Sequence, residues 1–273
     1  MNPERAWLFD VDGVITNPEQ KIVTEPQIID EIAKRLQDGE PVALVTGRSL
    51  DFMKERVITP LRGKVNVGGL QNFLAVGEKG GVWITYDENG QENETVDVSI
   101  TVPQELQDDV RALMESEFSE LMFFDSTKRT MISTEMKDGV SLEDYHKQQG
   151  KLNGRLEELV QKYGLSDDLE VDTTTIATDI QNKHVGKDFA ARRVLSWVQE
   201  RGINPQMFIT LGDSRSDIPM AQEVHNQGKA VTLVFVGKED DKKHVRDMKL
   251  PFRVVTSQEN YEKGTLEYLS SQD

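Results

Sequence analysis

The chain has 273 residues, 37% apolar and 29% charged, which suffices for one large or two modest soluble domains with real cores. It has no cysteine, so disulfides, thiolate metal sites and a cysteine nucleophile are excluded. A net charge of −16, from 48 acidic and 32 basic residues, opposes nucleic acid and anionic membranes, and an anionic substrate would need a local positive device to overcome it. At the N-terminus, Asn2-Pro3-Glu4-Arg5 lacks a signal-peptide pattern, and no run approaches the roughly 20 apolar residues of a membrane span. A cytoplasmic protein is the expectation. The first strand is Ala6-Trp7-Leu8-Phe9, which stops in the turn Asp10-Val11-Asp12-Gly13. Gln27 to Gln37 places Ile28, Ile29, Ile32, Ala33 and Leu36 at helical spacing, and Gly39 terminates it. Val42–Val45 is a wholly apolar strand ending in Thr46-Gly47-Arg48, with Ser49 as a helix N-cap. Phe73–Val76 is a third such strand. Continuous apolar strands separated by amphipathic helices predict a parallel sheet covered on both faces.

The pattern then changes. Val82–Tyr86, a turn at Asp87–Gly90 and the alternating Val96–Ile100 read as antiparallel pieces. A helix follows over about 104–118. Met122–Phe124 and Thr130–Ser133 flank a basic turn at Lys128 and Arg129. A second helix spans Lys151 to Tyr163, and Leu169–Val171 and Thr175–Ala177 are strand candidates. Alternation resumes with a helix from Asp188 to Glu200, a strand at Met207–Leu211 and a helix containing Pro219–Val224. A strand at Val231–Val236, an edge strand at Arg253–Val255 and a closing helix at Tyr261–Leu269 complete the chain. The charge run Lys238–Lys243 reads as a solvated loop, and Trp7, Trp83 and Trp197 as core. The expected organisation is a split α/β core, residues 1–91 and 179–273, carrying an inserted α+β domain at 92–178.

Four features bear chemistry. Asp10 and Asp12, two apart on an extended chain, lean the same way, and they lie beyond the carboxyl end of a strand, where open α/β sheets bind ligands. Paired carboxylates there can share a metal or divide nucleophile and acid/base work. Gly212-Asp213-Ser214-Arg215-Ser216-Asp217 follows another apolar strand and offers two carboxylates four apart, oxygen ligands of the kind Mg²⁺ takes. Taken alone, this cluster reads first as an acidic helix cap. Thr46, Gly47 and Arg48 offer a hydroxyl and free amides for a phosphate. Lys187, just before a helix, could pair with the carboxylates and hold the phosphate, with Lys183 a nearby competitor. His146, His184, His225 and His244 show no metal-ligand spacing.

In order, FDVDGV, LVTGR, Lys187 with the helix behind it and GDSRSD resemble the four motifs of the haloacid dehalogenase superfamily of phosphohydrolases, across the whole expected core. The resemblance implies a Rossmann-like parallel-sheet core and a Mg²⁺ cofactor. It makes Asp10 the nucleophile that becomes an aspartyl phosphate and Asp12 the general acid and base. Asp10, the main-chain carbonyl of Asp12, Asp213 and Asp217 would hold the metal, while Thr46 and Lys187 would bind the phosphoryl oxygens. Ser216, where family members often carry Asn, and Asp188, where many carry Gly after the lysine, depart from the pattern.

The insertion resembles the family's C2-type caps, its larger subtype being that of trehalose-phosphate and sucrose-phosphate phosphatases. The implied substrate is a small phosphorylated metabolite such as a sugar phosphate, with Lys128 and Arg129 as candidate leaving-group contacts beside their reading as an exposed turn. The implied protein is a monomer or small homo-oligomer. A phosphomutase on the same scaffold is the alternative, although the arginine-rich cap segment of phosphomannomutases is missing. A non-catalytic binding protein is the more remote one. A receiver domain would lack both the insertion and the late Gly-Asp-x-x-x-Asp.

Overall fold

Strands buried on both faces build the centre of the molecule. The computed structural model describes residues 3–272, so Met1, Asn2 and Asp273 lie outside the described residues. In chain order the strands are β1 (Arg5–Phe9), β2 (Val42–Val45), β3 (Phe73–Gly77), β4 (Val82–Tyr86), β5 (Glu92–Val96), β6 (Met122–Phe124), β7 (Ile132–Met136), β8 (Leu169–Thr173), β9 (Ala177–Asn182), β10 (Met207–Gly212), β11 (Val231–Phe235) and β12 (Arg253–Thr256). The chain divides into two compact units, one made of residues up to Thr95 and from Gly186 on, the other of Val96–Val185. The sequence placed these divisions at 91/92 and 178/179. The later second junction reflects β9, which pairs along its length with β7 and β8.

The first unit holds an eight-stranded sheet in the order β12-β11-β10-β1-β2-β3-β4-β5. The strands from β12 to β3 run parallel, and β4 returns antiparallel to β3. Successive side chains of a strand point to opposite faces, so Ala6 and Leu8 join a core packed by the helices Lys187–Glu200 and Ile218–Asn226. Trp7 turns the other way, into the layer of the helices Gln27–Gln37 and Tyr261–Ser270. There it meets Arg35 and Tyr268, and its Nε1 donates to Glu40 at 2.7 Å. Both faces are thus covered, as the apolar runs required. Trp83 and Trp197 are half-buried and pack on the edge of the first of these cores.

The second unit is a four-stranded sheet, β6-β7-β9-β8, whose neighbouring strands are antiparallel. Two helices pack on it through one apolar core. One runs Gln104–Leu113 and widens into a π turn over Met114–Phe118, and the other is Leu142–Lys162. Lys128 and Arg129 lie in the connection between β6 and β7.

Several local expectations shift. The alternating Val96–Ile100 is not a strand, because Asp97 Oδ1 accepts from Ser99 N at 3.0 Å and bends the chain, leaving Val98 82% exposed. The paired strand is the polar Glu92–Val96. The charged run at 238–243 is not a loop but opens a helix, Glu239–Asp247, whose inner face is Lys242 and Val245. The second helix of the inserted unit starts nine residues early, at Leu142, where the Ser141 hydroxyl caps Asp144 N at 3.1 Å.

Candidate active site

Register brings distant segments together. Phe9 pairs with Leu211 on one side and Leu44 on the other, so Asp10, Thr46 and Asp213 all emerge at the same rim, just past the carboxyl ends of three adjacent strands. Asp10 N donates to Leu211 O at 3.0 Å, and Thr46 N to Val76 O at 3.0 Å. These bonds fix the chain where it leaves the sheet.

The acids converge. One carboxylate oxygen from each of Asp10, Asp213 and Asp217 lies within 4.8 Å of the others. Asp217 is fully buried, and its Oδ2 accepts from Asp213 N, Ser214 N and Ser214 Oγ at 3.0–3.1 Å. The acidic-cap reading and the metal reading of this segment are therefore compatible, since one oxygen caps the turn and the other faces the cluster. Asp213 rests on Gly13, whose φ of +73° favours glycine and where a Cβ would collide with the Asp213 carboxylate.

Lys187 is the counter-charge. Its Nζ donates to Asp10 Oδ1 at 2.5 Å and to Val45 O at 2.8 Å, and it stands 2.9 Å from Asp217 Oδ1. Burial works against this ammonium, yet Asp10 and Asp217 outweigh it and hold its pKa above the ordinary lysine range. Burial, then repulsion from Asp217 and Asp213, raises Asp10 well above the usual carboxylate range in spite of Lys187. Burial and Asp217 push Asp213 up to about 7. Three carboxylates against one lysine leave a deficit of two positive charges in a site largely shielded from water. A divalent cation fits that deficit, and an all-oxygen donor set suits Mg²⁺, which keeps some waters beside one or two carboxylates and a phosphate.

Asp12 is turned elsewhere. Its carboxylate takes two hydrogen bonds from Arg48, Nε to Oδ2 at 3.0 Å and Nη2 to Oδ1 at 3.2 Å, and the Arg48 guanidinium stacks on Phe52. Asp12 is not in the three-carboxylate group. Arg48, an expected phosphate contact, thus has its guanidinium on Asp12. Thr46 Oγ1 accepts from Arg48 N at 3.1 Å, closing the Thr46-Gly47-Arg48 turn. Lys183 donates to Ser166 O in the second unit, whereas Lys187 reaches Asp10.

A further segment went unnoticed in the sequence. Glu78 and Lys79 have φ of 49° and 54°, a left-handed conformation that costs a residue with a Cβ about 1–3 kcal/mol. Glu78 N donates to Arg48 O and Lys79 N to Thr46 O, both at 3.0 Å. The glycines after them advertised a turn, but nothing in Glu-Lys advertised left-handed backbone.

No family model matches the chain, and no curated protein matches it by sequence. Solved structures do. A haloacid dehalogenase-like hydrolase from Bacteroides thetaiotaomicron aligns over 98% of this chain and 99% of its own, at TM-score 0.65 and 11% identity. A Thermoplasma acidophilum protein aligns over 98% of each chain, at TM-score 0.61 and 16% identity. The chain therefore has the fold of the haloacid dehalogenase-like hydrolases. Among them it is similar to Aspergillus fumigatus trehalose-6-phosphate phosphatase, which aligns over 99% of this chain and 92% of its own at TM-score 0.54 and 16% identity. At such identities the likeness is one of backbone architecture, and it extends over both units.

Proposed function

We propose that the chain is a Mg²⁺-dependent phosphomonoester hydrolase that works through an aspartyl-phosphate intermediate. The observation that carries this reading is the meeting of Asp10, Asp213, Asp217 and Lys187 at one rim of the sheet. Phosphoryl transfer asks a protein for positioning and charge neutralisation more than for covalent chemistry, and this group with a divalent cation would supply both.

In the first step an Asp10 carboxylate oxygen attacks phosphorus and the ester P–O bond breaks. Protonated Asp12 gives its proton to the departing oxygen, which leaves as the alcohol. In the second, Asp12 as carboxylate takes a proton from water while that water's oxygen attacks the phosphorus on Asp10. Inorganic phosphate leaves, and Asp10 is again a carboxylate. Arg48 aims Asp12 by its two hydrogen bonds. Lys187 and the Thr46-Gly47-Arg48 turn hold the phosphoryl oxygens. Mg²⁺, held by Asp10, Asp213, Asp217 and the main-chain carbonyl of Asp12, would supply the charge that lets a carboxylate approach a phosphate.

The substrate in this reading is a sugar phosphate or a similar small metabolite, and the inserted unit is a cap that selects it, with Lys128 and Arg129 as leaving-group contacts. The likeness to a trehalose-6-phosphate phosphatase supports this choice. No helix among the described residues is long and apolar enough to cross a membrane. The test is phosphate release from a panel of sugar phosphates with Mg²⁺, beside an Asp10→Asn variant. Wild type should release phosphate and the variant should not. Equal release by both defeats the mechanism, and isomerised sugar phosphate without free phosphate would point to a mutase.

A further inference from the structure

Two residues at the start of the last helix, Tyr261–Ser270, tie together both strand ends that carry the acids. Tyr261 N donates to Val236 O at 2.5 Å, and Val236 N donates to Gly212 O at 2.9 Å, next to Asp213. Glu262 reaches the other strand end. Its Oε1 accepts from Asn17 Nδ2 at 2.8 Å and from Thr24 Oγ1 at 2.9 Å. The Asn17 amide is fixed in orientation, because its Oδ1 accepts from Glu19 N and Gln20 N, both at 3.0 Å. Thr16, just before it, is fully buried and bonded to the turn that follows β1. Its N and Oγ1 donate to Val11 O, and its carbonyl accepts from Gly13 N at 2.8 Å. A trans peptide directs its carbonyl away from its N–H, so the Asp12 carbonyl faces away from Thr16. Gly13 itself lies against the Asp213 carboxylate.

We infer that Glu262 is a positioning residue for the cation, holding the Asp12–Gly13 peptide through Asn17 and Thr16 so that its carbonyl is preset as a ligand. The inference rests on the phosphohydrolase reading, in which that carbonyl joins Asp10, Asp213 and Asp217 around Mg²⁺. Mg²⁺ demands near-ideal octahedral geometry, so a main-chain ligand on a loose turn would bind it poorly. Partners behind the ligands supply that rigidity in metal sites. Two features mark Glu262 for this task rather than for stability alone. It is 4% exposed, yet its Oε2 is buried with no hydrogen-bond partner among the described residues, a cost that an apolar side chain would avoid. Tyr261, before it, holds a φ of +56°, and Lys21, in the loop that it anchors, one of +55°. Such strain persists where surrounding bonds over-determine it, and it gathers at functional sites.

Mg²⁺ affinity is the readout, because binding is measured without turnover. Calorimetry compares wild type, Glu262→Ala, Glu262→Gln, Asn17→Ala and the Glu262→Ala/Asn17→Ala double variant, with melting in chelator alongside. Glu262→Ala should bind Mg²⁺ at least about tenfold more weakly, the usual effect of removing a partner behind a metal ligand. Glu262→Gln keeps the acceptor and should stay within about threefold of wild type. Asn17→Ala should match Glu262→Ala, and the double variant should lose no more than the worse single, because both residues act along one path. A purely structural role would lower melting in chelator and leave the Mg²⁺ affinity of the folded protein unchanged. Wild-type affinity in Glu262→Ala overturns the inference, as do a glutamine variant as weak as the alanine one and losses that add in full. Should Glu262→Ala not fold, wild-type affinity in Asn17→Ala overturns it alone. Wild type that binds Mg²⁺ but releases no phosphate above the Asp10→Asn variant defeats the phosphohydrolase reading, and the affinities still decide this inference. Wild type that binds no Mg²⁺ overturns both.

Discussion

Replacing Asp213 by asparagine keeps the side chain's shape against Gly13 and removes one charge from the crowded carboxylates. In the metal-free protein the Asp213 carboxyl is pushed from its ordinary 3.8 up to about 7, by burial first and Asp217 second. Each tenfold change in proton affinity is worth about 1.4 kcal/mol, so ionised Asp213 costs the fold about 4 kcal/mol. The folded-state pKa is raised above the unfolded one. The group's contribution is therefore fully present below about pH 4, is lost as pH rises toward 7, and stays lost above it. Metal-free wild type should weaken between pH 5 and 8, and Asp213→Asn should flatten that decline. At pH 8 the variant should be the more stable by about 4 kcal/mol, roughly a 10 °C rise in melting at ~2–4 °C per kcal/mol for a protein of this size. At pH 5 the gain should shrink to less than about 2 kcal/mol. Denaturation in chelator at the two pH values reads this directly. Added Mg²⁺ should then narrow the gap at pH 8, because a ligand at a hundred times its Kd adds about 2.7 kcal/mol to the protein that binds it. A metal-free wild type that is flat or strengthens from pH 5 to 8, or an asparagine variant that is weaker at pH 8, would refute the picture of mutually repelling buried acids.

Two other substitutions probe the same assembly. Lys187→Met removes the sole ammonium bonded to Asp10 and Asp217 among the described residues, and it should destabilise the chelated protein at pH 8 by about 3–5 kcal/mol. Denaturant titration checks this, and divalent metal should restore part of the loss while phosphate release stays abolished. Gly13→Ala puts a Cβ against the Asp213 carboxylate at a backbone angle of +73°. Mg²⁺ affinity by calorimetry should fall more than about tenfold with unchanged far-ultraviolet dichroism, reflecting a displaced ligand at a cost above ~1.4 kcal/mol.

The strand ends were readable because each is an apolar run, interrupted only by Thr210 in the last, followed abruptly by small or polar residues, as at Phe9-Asp10, Val45-Thr46 and Leu211-Gly212. A parallel sheet converts that one-dimensional sign into a shared rim, which is why Asp10, Thr46 and Asp213 could be placed together. Helices whose buried stripe is impure were harder. In Leu142–Lys162 the inward positions are Tyr145, Gln149, Leu152, Leu156 and Val160, and the polar Gln149, bonded to Thr174 O, Ala177 O and the Tyr145 and Thr178 hydroxyls, hides the first two turns. The helix Glu239–Asp247 was masked by Lys242, whose fully buried ammonium is satisfied by Glu259 O and Asn260 Oδ1, both at 2.8 Å. The pairing of Arg48 with Asp12, and the left-handed backbone at 78–79, depend on contacts between segments far apart, and no local pattern encodes them.

The position of β1 has a temporal corollary. This strand is translated well before one of its two neighbours, β10, which joins Phe9 to Leu211. Until then β1 has an open side, and closing so long an intervening loop is slow for a parallel pairing. The acid from the late Gly-Asp-x-x-x-Asp segment arrives with that same closure. A chain cut before β10 would therefore hold Asp10 without Asp213 and Asp217, so in the proposed reading the carboxylate group is complete only once that pairing has formed.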